Sequence, residues 1–415
     1  MAARGGKKNS KQGNARKAKA KPAPSAAPPR PAEGDTEAAM ADAGRNVVDA
    51  SGNVLDLAKI RASIDGVDEK IHELISERAS LAQLVGISKS KDGWKTVDFY
   101  RPEREAQVLR MAKARNKGPL RDEEVLRLFR EIMSACLAQQ EPLKVGYLGP
   151  EGTFTQAAVM THFGHSVRGL ALSSIDDVFH EVEAGNADFG VVPIENSTEG
   201  TVNNTLDRFL NSPLKICGEV ELRIHHNLMA NLSGLDQIRR ICSHPQALAQ
   251  CRGWLDENLP DVERVPVSSN AEGARRARDE KGTAAIAGQT AAEIYELQVL
   301  AAEIEDRPDN TTRFFVLGRK IFEPSGDDRT TLLVSVAHTD SSGALFRLLE
   351  PLSTYKVNMS RIESRPSHRR KWDYVFFIDI DGHASDKHVA KALAALKERA
   401  SLFRVLGSYP RAVTP

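Results

Sequence analysis

The 415-residue sequence is poor in cysteine and has no long apolar run, and each absence excludes a class of protein. The few cysteines are widely and irregularly spaced, which fits neither a disulfide framework nor a zinc ribbon. They are Cys136, Cys217, Cys242 and Cys251. No stretch of about 18 apolar residues is present, and the first residues lack the apolar segment of a secretory signal. We therefore expect a cytoplasmic protein with free thiols and no membrane segment.

Acidic residues are missing from the first 30 positions, which carry nine Lys or Arg. Residues 1–48 are rich in alanine and proline, and they have too few large apolar side chains to offset the entropy of ordering. We predict a disordered basic arm. Nucleic acid is the alternative partner of such an arm, but it is the weaker interpretation, because no aromatic side chain is present to stack on single-stranded bases.

Metal and nucleotide motifs are also lacking. His225 and His226 are the one tempting pair of metal ligands, but neighbouring residues of a strand point to opposite faces, so one ion would rarely bind both. We predict no metal and no cofactor.

A helical pattern without proline runs from Val54 to about Lys91. Its apolar positions are four and three residues apart alternately, which is the spacing of a coiled-coil-like seam. They are Ile60, Ile64, Val67, Ile71, Leu74, Leu81 and Val85. Arg78 occupies one seam position. A buried guanidinium without a partner is costly, so Arg78 must meet an acid, a polar network or an anionic ligand.

Two further helices are predicted, one starting near Pro102 and one from about Asp122 to Gln140. Gln140 is a second polar residue at a position where the helical pattern favours an apolar one. Two seam positions on separate helices are thus polar, and both could face one pocket.

Residues 55–140 resemble the all-helical chorismate mutase domain. The resemblance rests on Ile60-Arg61, Val67-Asp68-Glu69-Lys70-Ile71, Glu77-Arg78, Val85-Gly86, Lys89 and Tyr100-Arg101-Pro102-Glu103-Arg104-Glu105. It implies an intertwined helical dimer that rearranges chorismate to prephenate. The reaction needs no acid, base or cofactor, so the protein contributes electrostatics and a compact substrate conformation.

The resemblance also implies roles for single residues of this module. Arg61, from the partner chain, and Arg78 would hold the two carboxylates of chorismate. Lys89 and Gln140 would donate to the ether oxygen, where negative charge grows as its bond breaks.

The ring hydroxyl is the remaining contact that the resemblance implies. Glu105 would accept a hydrogen bond from it, with Arg104 nearby. The sequence departs from the family at Arg101, where many relatives have aspartate, and at Cys136, where some have serine. These departures put the contacts to the hydroxyl in doubt.

After Pro142 short strands alternate with amphipathic helices, an α/β layout in which loops after strands carry function. Strands are predicted at 145–148, 167–172, 189–194, 238–242, 262–267 and 284–287. Four polar stretches accompany these elements: Gly149 to Thr155, Val192 to Val202, Ser243 to Gln246 and Asn310 to Phe314. Taken singly, the first and third also fit a helix cap and the fourth a plain strand start, whereas the density of donors and acceptors in the second is hard to explain by capping alone.

Together these stretches resemble the prephenate dehydratase domain over residues 144–320. The resemblance implies two α/β lobes like a small periplasmic binding protein, with the active site in the cleft between them. The reaction expels the ring hydroxyl of prephenate and carbon dioxide, and aromatisation drives it, so it needs an acid and donors for the carboxylates.

Thr312 would be that acid. A threonine hydroxyl is a poor acid, so a hydrogen-bond network from Asn196, Gln246 or Glu195 should orient it. Arg313 and loop amides would neutralise the substrate. Two more residues are placed at the substrate by the same stretches, Phe314 to exclude water and Ser243 from the second lobe.

From Thr330 the pattern predicts a βαββαβ order, which is a ferredoxin-like unit. It resembles the amino-acid-binding ACT domain, in which phenylalanine would bind and favour a less active state. The residues assigned to phenylalanine are Gly343, Ala344, Leu345, Asn358, Met359, Glu363, Ser364, Arg365 and Pro366. A domain that only dimerises is the alternative.

The whole pattern predicts a multidomain chain: the arm at 1–48, an all-α intertwined mutase dimer at 51–141, a two-lobed α/β dehydratase at 143–321 and an α+β ACT domain at 329–410. The expected function is a bifunctional enzyme with chorismate and prephenate as substrates and phenylalanine as effector, in a homodimer or higher homo-oligomer. A dehydratase with a degenerate mutase domain that serves dimerisation is one alternative. A ligand-binding regulator is the other.

Overall fold

The computed structural model describes residues 56–90, 100–139, 142–336, 342–367 and 374–413, with the side chains of Lys89 and Ser90 excepted. The predicted arm and Gln140 lie outside the described residues. The chain divides into two compact units, residues 1–71 and 72–415.

Helix α1, Leu57–Ser90, has no internal break, as its pattern predicts. Its apolar seam is exposed in the single chain: the seven seam residues, from Ile60 to Val85, have exposed fractions of 37% to 64%. An apolar stripe of this length is typical of a surface that a partner covers.

Helices α2, Pro102–Arg115, and α3, Asp122–Ala138, pack on each other through Leu109, Leu126 and Met133. Just before α2, Tyr100 is fully buried in the core of the next domain, and its hydroxyl lies 2.9 Å from Nε2 of His162. The start of α2 is therefore anchored on the α/β part of the chain.

The first lobe is a sheet in the order β2-β1-β3-β11-β5, with the short β4 beside β3. Its strands are β1 Lys144–Leu148, β2 Arg168–Leu172, β3 Phe189–Asn196, β4 Gly200–Thr201, β5 Lys215–Arg223 and β11 Thr311–Gly318. Its helices are α4 Phe154–Phe163, α5 Ile175–Ala184 and α6 Asn203–Phe209. Strands β1, β2 and β3 are parallel, whereas β11 runs antiparallel to both β3 and β5.

The second lobe is a sheet in the order β10-β6-β9-β7-β8. Its strands are β6 Asn227–Ala230, β7 Arg240–Ser243, β8 Glu263–Pro266, β9 Thr283–Ala287 and β10 Gln298–Ala301. Its helices are α7 Pro245–Gln250, α8 Arg252–Asn258, α9 Asn270–Asp279 and α10 Gln289–Ile294. The chain enters this lobe after β5 and leaves it into β11. The beginning of β11 therefore lies at the crossing between the lobes.

Hydroxyl side chains cap helices α4, α5 and α9, each of which follows a strand. Ser174 accepts from the backbone N–H of Asp177, and Ser269 accepts from that of Glu272, which satisfies donors that a helix leaves free at its first turn. Thr153 does the same for α4 and also donates to the carbonyl of Leu148 at the end of β1. The loop after β1 is thus fixed at both ends.

The third sheet has the order β13-β14-β12-β15 and is antiparallel. Its elements are β12 Asp328–Val336, α11 Ala344–Thr354, β13 Met359–Pro366, β14 Tyr374–Asp381, α12 Lys387–Arg399 and β15 Ala400–Pro410. This confirms the predicted βαββαβ order of a ferredoxin-like unit.

The third sheet shares a hydrophobic core with the first lobe. Leu333, Phe377 and Tyr409 pack with Val192 and Phe315 in one buried cluster. Strand β15 also comes so close to β5 that a Cβ atom on Gly407 would collide with the backbone of Ile216. The two domains are therefore joined by buried apolar contact.

All four cysteines are free and buried. Burial raises the pKa of the Cys217 thiol to about 12 and raises that of Cys242 and Cys251 as well. Within the part of the chain that the structure describes, no group of three or more His, Cys, Asp and Glu side chains is arranged to hold a metal ion, and no helix is long and apolar enough to cross a membrane.

Candidate active sites

Thr312 and Asn196 form the centre of the candidate dehydratase site. The antiparallel register of β11 and β3 places them opposite each other. The side-chain nitrogen of Asn196 donates to Thr312 Oγ1 and to Asn310 Oδ1, both at 2.8 Å. The other end of this amide, Oδ1, accepts from the backbone N–H groups of Thr198 and Glu199, both at 3.0 Å, so the orientation of the amide is fixed. Because Thr312 Oγ1 accepts from Asn196, its own proton is available to a ligand.

Three residues behind Thr312 complete this polar group. Asn310 Nδ2 donates to Gln250 Oε1 at 3.3 Å, and the same oxygen lies 2.8 Å from His226 Nε2. Asn310 and His226 are buried, at 3% and 2% exposure. The ring of Phe154 packs edge-on against His226. Sequence reasoning missed Asn310, Gln250 and His226 as parts of the site.

Gln246, predicted to orient Thr312, lies on the first turn of α7, one helical turn before Gln250. Its backbone N–H donates to Nδ1 of His244, which caps the helix. Gln250 rather than Gln246 reaches Asn310. The i, i+4 spacing of the two glutamines on one helix face is the signal that could have pointed to Gln250.

Arg313 lies on the opposite face of β11 from Thr312, and its predicted role in neutralising the substrate stays a prediction. Its guanidinium pairs with Glu219 at 2.7 Å and with Asp379 of the third sheet at 2.6 Å. It also donates to the Tyr409 hydroxyl. These partners raise the pKa of Arg313 above its ordinary value although burial, the largest single influence, lowers it. Arg313 thus joins two domains and does not face Thr312.

The side chain of Glu195 lies on the same face of the sheet as that of Arg313. It is the register partner of Arg313, and its carboxylate accepts from Nε of Arg361 of β13 at 2.7 Å. The predicted hydrogen bond from Glu195 to Thr312 is therefore replaced by an ion pair with the third sheet. Glu195 still fixes the loop that carries Asn196, because the two are neighbours in β3.

Phe314 and Ser243 lie in the interior, and their predicted contacts with substrate stay predictions. Phe314 is 1% exposed and packs in the core of the first lobe. Ser243 is fully buried, and its hydroxyl donates to the carbonyl of Ile286 at 2.6 Å, with Asn270 Oδ1 at 2.9 Å. Both residues support the strands on which the site stands.

The residues expected at the mutase site are only partly described. Arg61 is exposed and belongs to the unit 1–71, whereas Arg78 is half-buried in the unit 72–415. Gln140 and the side chain of Lys89 lie outside the described residues. The structure therefore leaves the predicted contacts of these last two as predictions.

Among the residues predicted at the mutase site, Glu105 has a carboxyl whose pKa is shifted by its surroundings. Burial raises the pKa of its carboxyl to about 7, although the positive charges of Arg130 and Arg78 lower it. Burial likewise lowers the pKa of Arg130. Arg130 was not predicted from the sequence, because its place in the helical pattern is that of a surface residue.

The other three residues predicted at the mutase site are Arg104, Arg101 and Cys136. Arg104 is exposed, and Arg101 pairs with Glu103, whose other carboxylate oxygen has no partner among the described residues. Cys136 is buried in α3. A cavity of about 690 Å³ lies beside these helices, and its lining includes Glu105, Arg130, His162 and Thr311.

The residues assigned to phenylalanine divide into two faces of β13. Ser364 and Pro366 are exposed with Met359, whereas Glu363 and Arg365 contact the first lobe. Glu363 accepts from the hydroxyl of Thr201 at 3.0 Å, and Arg365 pairs with Asp207 at 2.8 Å. The geometry replaces the predicted ligand contacts of Glu363 and Arg365 with contacts between domains.

The remaining assigned residues lie at two turns of the third sheet. Gly343 precedes α11 with a φ of 77°, a backbone conformation that favours glycine, and Ala344 and Leu345 follow in the first turn. Asn358 donates to Asp381 at 2.8 Å.

Comparison with known proteins decides the family. Three family models match: chorismate mutase type II at residues 60–141, prephenate dehydratase at 145–321 and the ACT domain at 330–398. The bifunctional chorismate mutase/prephenate dehydratase of Pseudomonas aeruginosa is 54% identical over 86% of this chain and 98% of its own. The chain belongs to the bifunctional chorismate mutase/prephenate dehydratase family. The Aquifex aeolicus member is 42% identical over 86% of this chain and 99% of its own.

A solved structure supports the same assignment for the second and third domains. The prephenate dehydratase of Arthrobacter aurescens, in complex with L-Phe, is 41% identical, covers 65% of this chain and 90% of its own, and superposes with a TM-score of 0.60. The predicted family, its multidomain fold class and the presence of both enzyme domains are confirmed.

Proposed function

We propose that this chain converts chorismate to prephenate in its helical domain and prephenate to phenylpyruvate in its two-lobed domain, with phenylalanine as feedback inhibitor. The observation that carries the second activity is the hydrogen bond from Asn196 to Thr312 Oγ1, because it makes the oxygen an acceptor and leaves the threonine proton available to the substrate. Membership of the bifunctional family supports the combination of activities.

Thr312 would act as the acid of the dehydration. The bond from the ring carbon to the hydroxyl breaks, and the Thr312 proton passes to the departing oxygen to form water. The bond to the ring carboxylate breaks at the same time, and its electron pair completes the aromatic ring as carbon dioxide leaves. Thr312 then regains a proton from water. The stabilisation of the aromatic product lets a weak acid suffice.

Arg78 and Glu105 are the mutase residues that the described part of the chain supports best. Arg78 is half-buried and lowers the pKa of Glu105, so a cation and an acceptor lie together as the anionic substrate requires. We retain Arg61, Lys89, Gln140, Arg104, Arg101 and Cys136 as candidates for the same site.

A homodimer is the assembly that we propose. The exposed seam of α1 supports it, because an apolar stripe of this length needs a cover, and a second copy of the same helix supplies one with the same spacing. The domain limits 51–141, 143–321 and 329–410 and the cytoplasmic location stay predictions.

Phenylalanine would bind the exposed face of β13 and the turn before α11. The exposure of Ser364 and Met359 and the positive φ of Gly343 support this place. Contacts of the opposite face of β13 with the first lobe would carry the effect to the dehydratase.

One experiment tests the proposal. The purified chain is supplied with chorismate, and prephenate and phenylpyruvate are followed with and without phenylalanine. We expect both products in sequence and loss of phenylpyruvate formation alone when phenylalanine is added. Consumption of prephenate but not of chorismate would instead support a dehydratase whose helical domain only dimerises.

A further inference from the structure

A continuous chain of side-chain hydrogen bonds runs from His226 to Thr312 through Gln250, Asn310 and Asn196. We name these five residues the polar relay. Its members come from both lobes of the dehydratase domain, since Gln250 is on α7 of the second lobe and Thr312 is on β11 of the first. The relay therefore crosses between the lobes.

The donor and the acceptor of every hydrogen bond in the relay follow from one fixed group, the side-chain amide of Asn196. Backbone N–H groups hold Oδ1 of Asn196, so its Nδ2 must be the donor to Asn310 Oδ1. Asn310 must then present Nδ2 to Gln250, and Gln250 must present Oε1. His226 Nε2 can contact that oxygen only as a donor, which places the ring proton on Nε2.

This direction matters at the other end of the relay. If Gln250 presented its NH₂ group, Asn310 would have to turn, and Asn196 could not serve both Asn310 and Thr312 as a donor. Asn196 Nδ2 would then face an NH₂ group of Asn310 instead of an acceptor, and its hydrogen bond to Thr312 Oγ1 would lose that support. An amide N–H is too weak an acid to pass a proton on, so the relay orients the hydroxyl and does not conduct protons.

Two buried atoms of the relay have no partner among the described residues, His226 Nδ1 and Gln250 Nε2. An unpaired buried polar group costs about 1–3 kcal/mol. The alternative orientation of the Gln250 amide would pair Nε2 but leave Oε1 without a partner among the described residues, and it would reverse the relay.

We propose that His226 and Asn310 are positioning residues of the dehydration, which act on Thr312 through the two amides of Gln250 and Asn196. This proposal rests on the proposed role of Thr312 as the acid. It assigns His226 and Asn310 to the orientation of the acid, and it leaves the binding of prephenate to other groups.

The test compares variants of the full chain that keep size and change hydrogen-bonding direction. His226→Phe removes the Nε2 donor, and His226→Gln restores a donor at a similar reach. Asn310→Asp replaces the donor to Gln250 by an acceptor. His225→Phe is the matched control, because His225 bonds to Glu305 and lies outside the relay. Mutase activity of the same chain checks folding.

We expect His226→Phe and Asn310→Asp to lower dehydratase kcat by about 10- to 100-fold, a part of the factor that a general acid supplies, with KM nearly unchanged. His226→Gln should recover most of the loss, and His225→Phe should keep the wild-type kcat. Mutase activity should be unchanged throughout.

Two results would overturn the proposal. One is wild-type kcat in His226→Phe and Asn310→Asp while Thr312→Val is inactive, which would leave Thr312 as the acid without this relay. The other is an equal loss of kcat in His226→Phe and His226→Gln together with a lowered Tm, which would indicate a packing role only. Full activity of Thr312→Val would instead refute the proposed acid itself.

Discussion

Replacing Arg313 by methionine distinguishes two roles of this arginine: a contact with the substrate, and an ion pair that joins two domains. Its guanidinium is 12% exposed, and it pairs with Glu219 and Asp379, each 1% exposed. Glu219 keeps a second partner in Arg329 at 2.6 Å, whereas among the described residues the side chain of Asp379 keeps the hydroxyl of Thr331. Arg313→Met would therefore leave Asp379 as a buried charge without a cation.

Removal of one partner from a buried ion pair costs about 3–5 kcal/mol. A domain of 150–250 residues loses roughly 2–4 °C of Tm per kcal/mol, so we expect Arg313→Met to lower the Tm by about 6–20 °C. Because Arg313 faces away from Thr312, KM for prephenate should change by less than about threefold. Thermal unfolding and steady-state dehydratase kinetics on one preparation measure both quantities.

Two further variants sharpen this prediction. Asp379→Asn in the Arg313→Met background removes the orphaned charge and should recover a large part of the Tm. Arg319→Met is the matched control, since the hydrogen bonds of Arg319 to described residues go to the Val182 and Ala187 carbonyls of its own lobe. It should lower the Tm without changing the response to phenylalanine. An unchanged Tm together with a KM for prephenate raised about 100-fold would show that Arg313 contacts the substrate, and it would refute the reasoning.

Three other predictions follow from single residues. Thr312→Val, nearly isosteric, should abolish prephenate turnover and leave mutase turnover intact in coupled assays of one sample; joint loss of both would indicate misfolding. Glu105 holds its proton up to about pH 7 in the folded chain but only to about 4.5 when unfolded, so the free energy of unfolding should fall by up to about 3 kcal/mol as pH rises across that window. Denaturant titrations of Glu105→Gln should lack this fall. Arg361→Gln breaks the bond to Glu195 and should weaken inhibition by phenylalanine about 5- to 30-fold while calorimetry finds its binding unchanged; equal inhibition would exclude this contact as the link.

Local patterns predicted the modules well, because each depends on residues close in sequence. The unbroken helix from Leu57 to Ser90, the βαββαβ order after Thr330 and the strands ending at the polar loops all follow from periodicity and caps. Strands β4, β5, β6 and β10 were not predicted. In β5 this failure has a clear cause, because Glu219 breaks the apolar pattern and is stabilised by arginines distant in sequence.

The site was predicted in part. Thr312 and Asn196 were placed together correctly from the two loops, but Arg313 was placed beside them. Alternation along β11 places the side chains of Thr312 and Arg313 on opposite faces of the sheet. That signal was present in the sequence, whereas the partners of Arg313 were not, because Asp379 lies in another domain and no local pattern identifies it.

The burial of all four thiols has a practical consequence for spectroscopy. Raised thiol pKa values leave little thiolate at neutral pH for Cys217, Cys242 and Cys251, and burial shields all four from reagents. A cysteine introduced at an exposed position such as Glu199 or Ser364 would therefore be labelled in the native background. Fluorophores or spin labels at these two positions would report the separation of the catalytic loop and the β13 strand directly, in a chain that needs no prior removal of its own thiols.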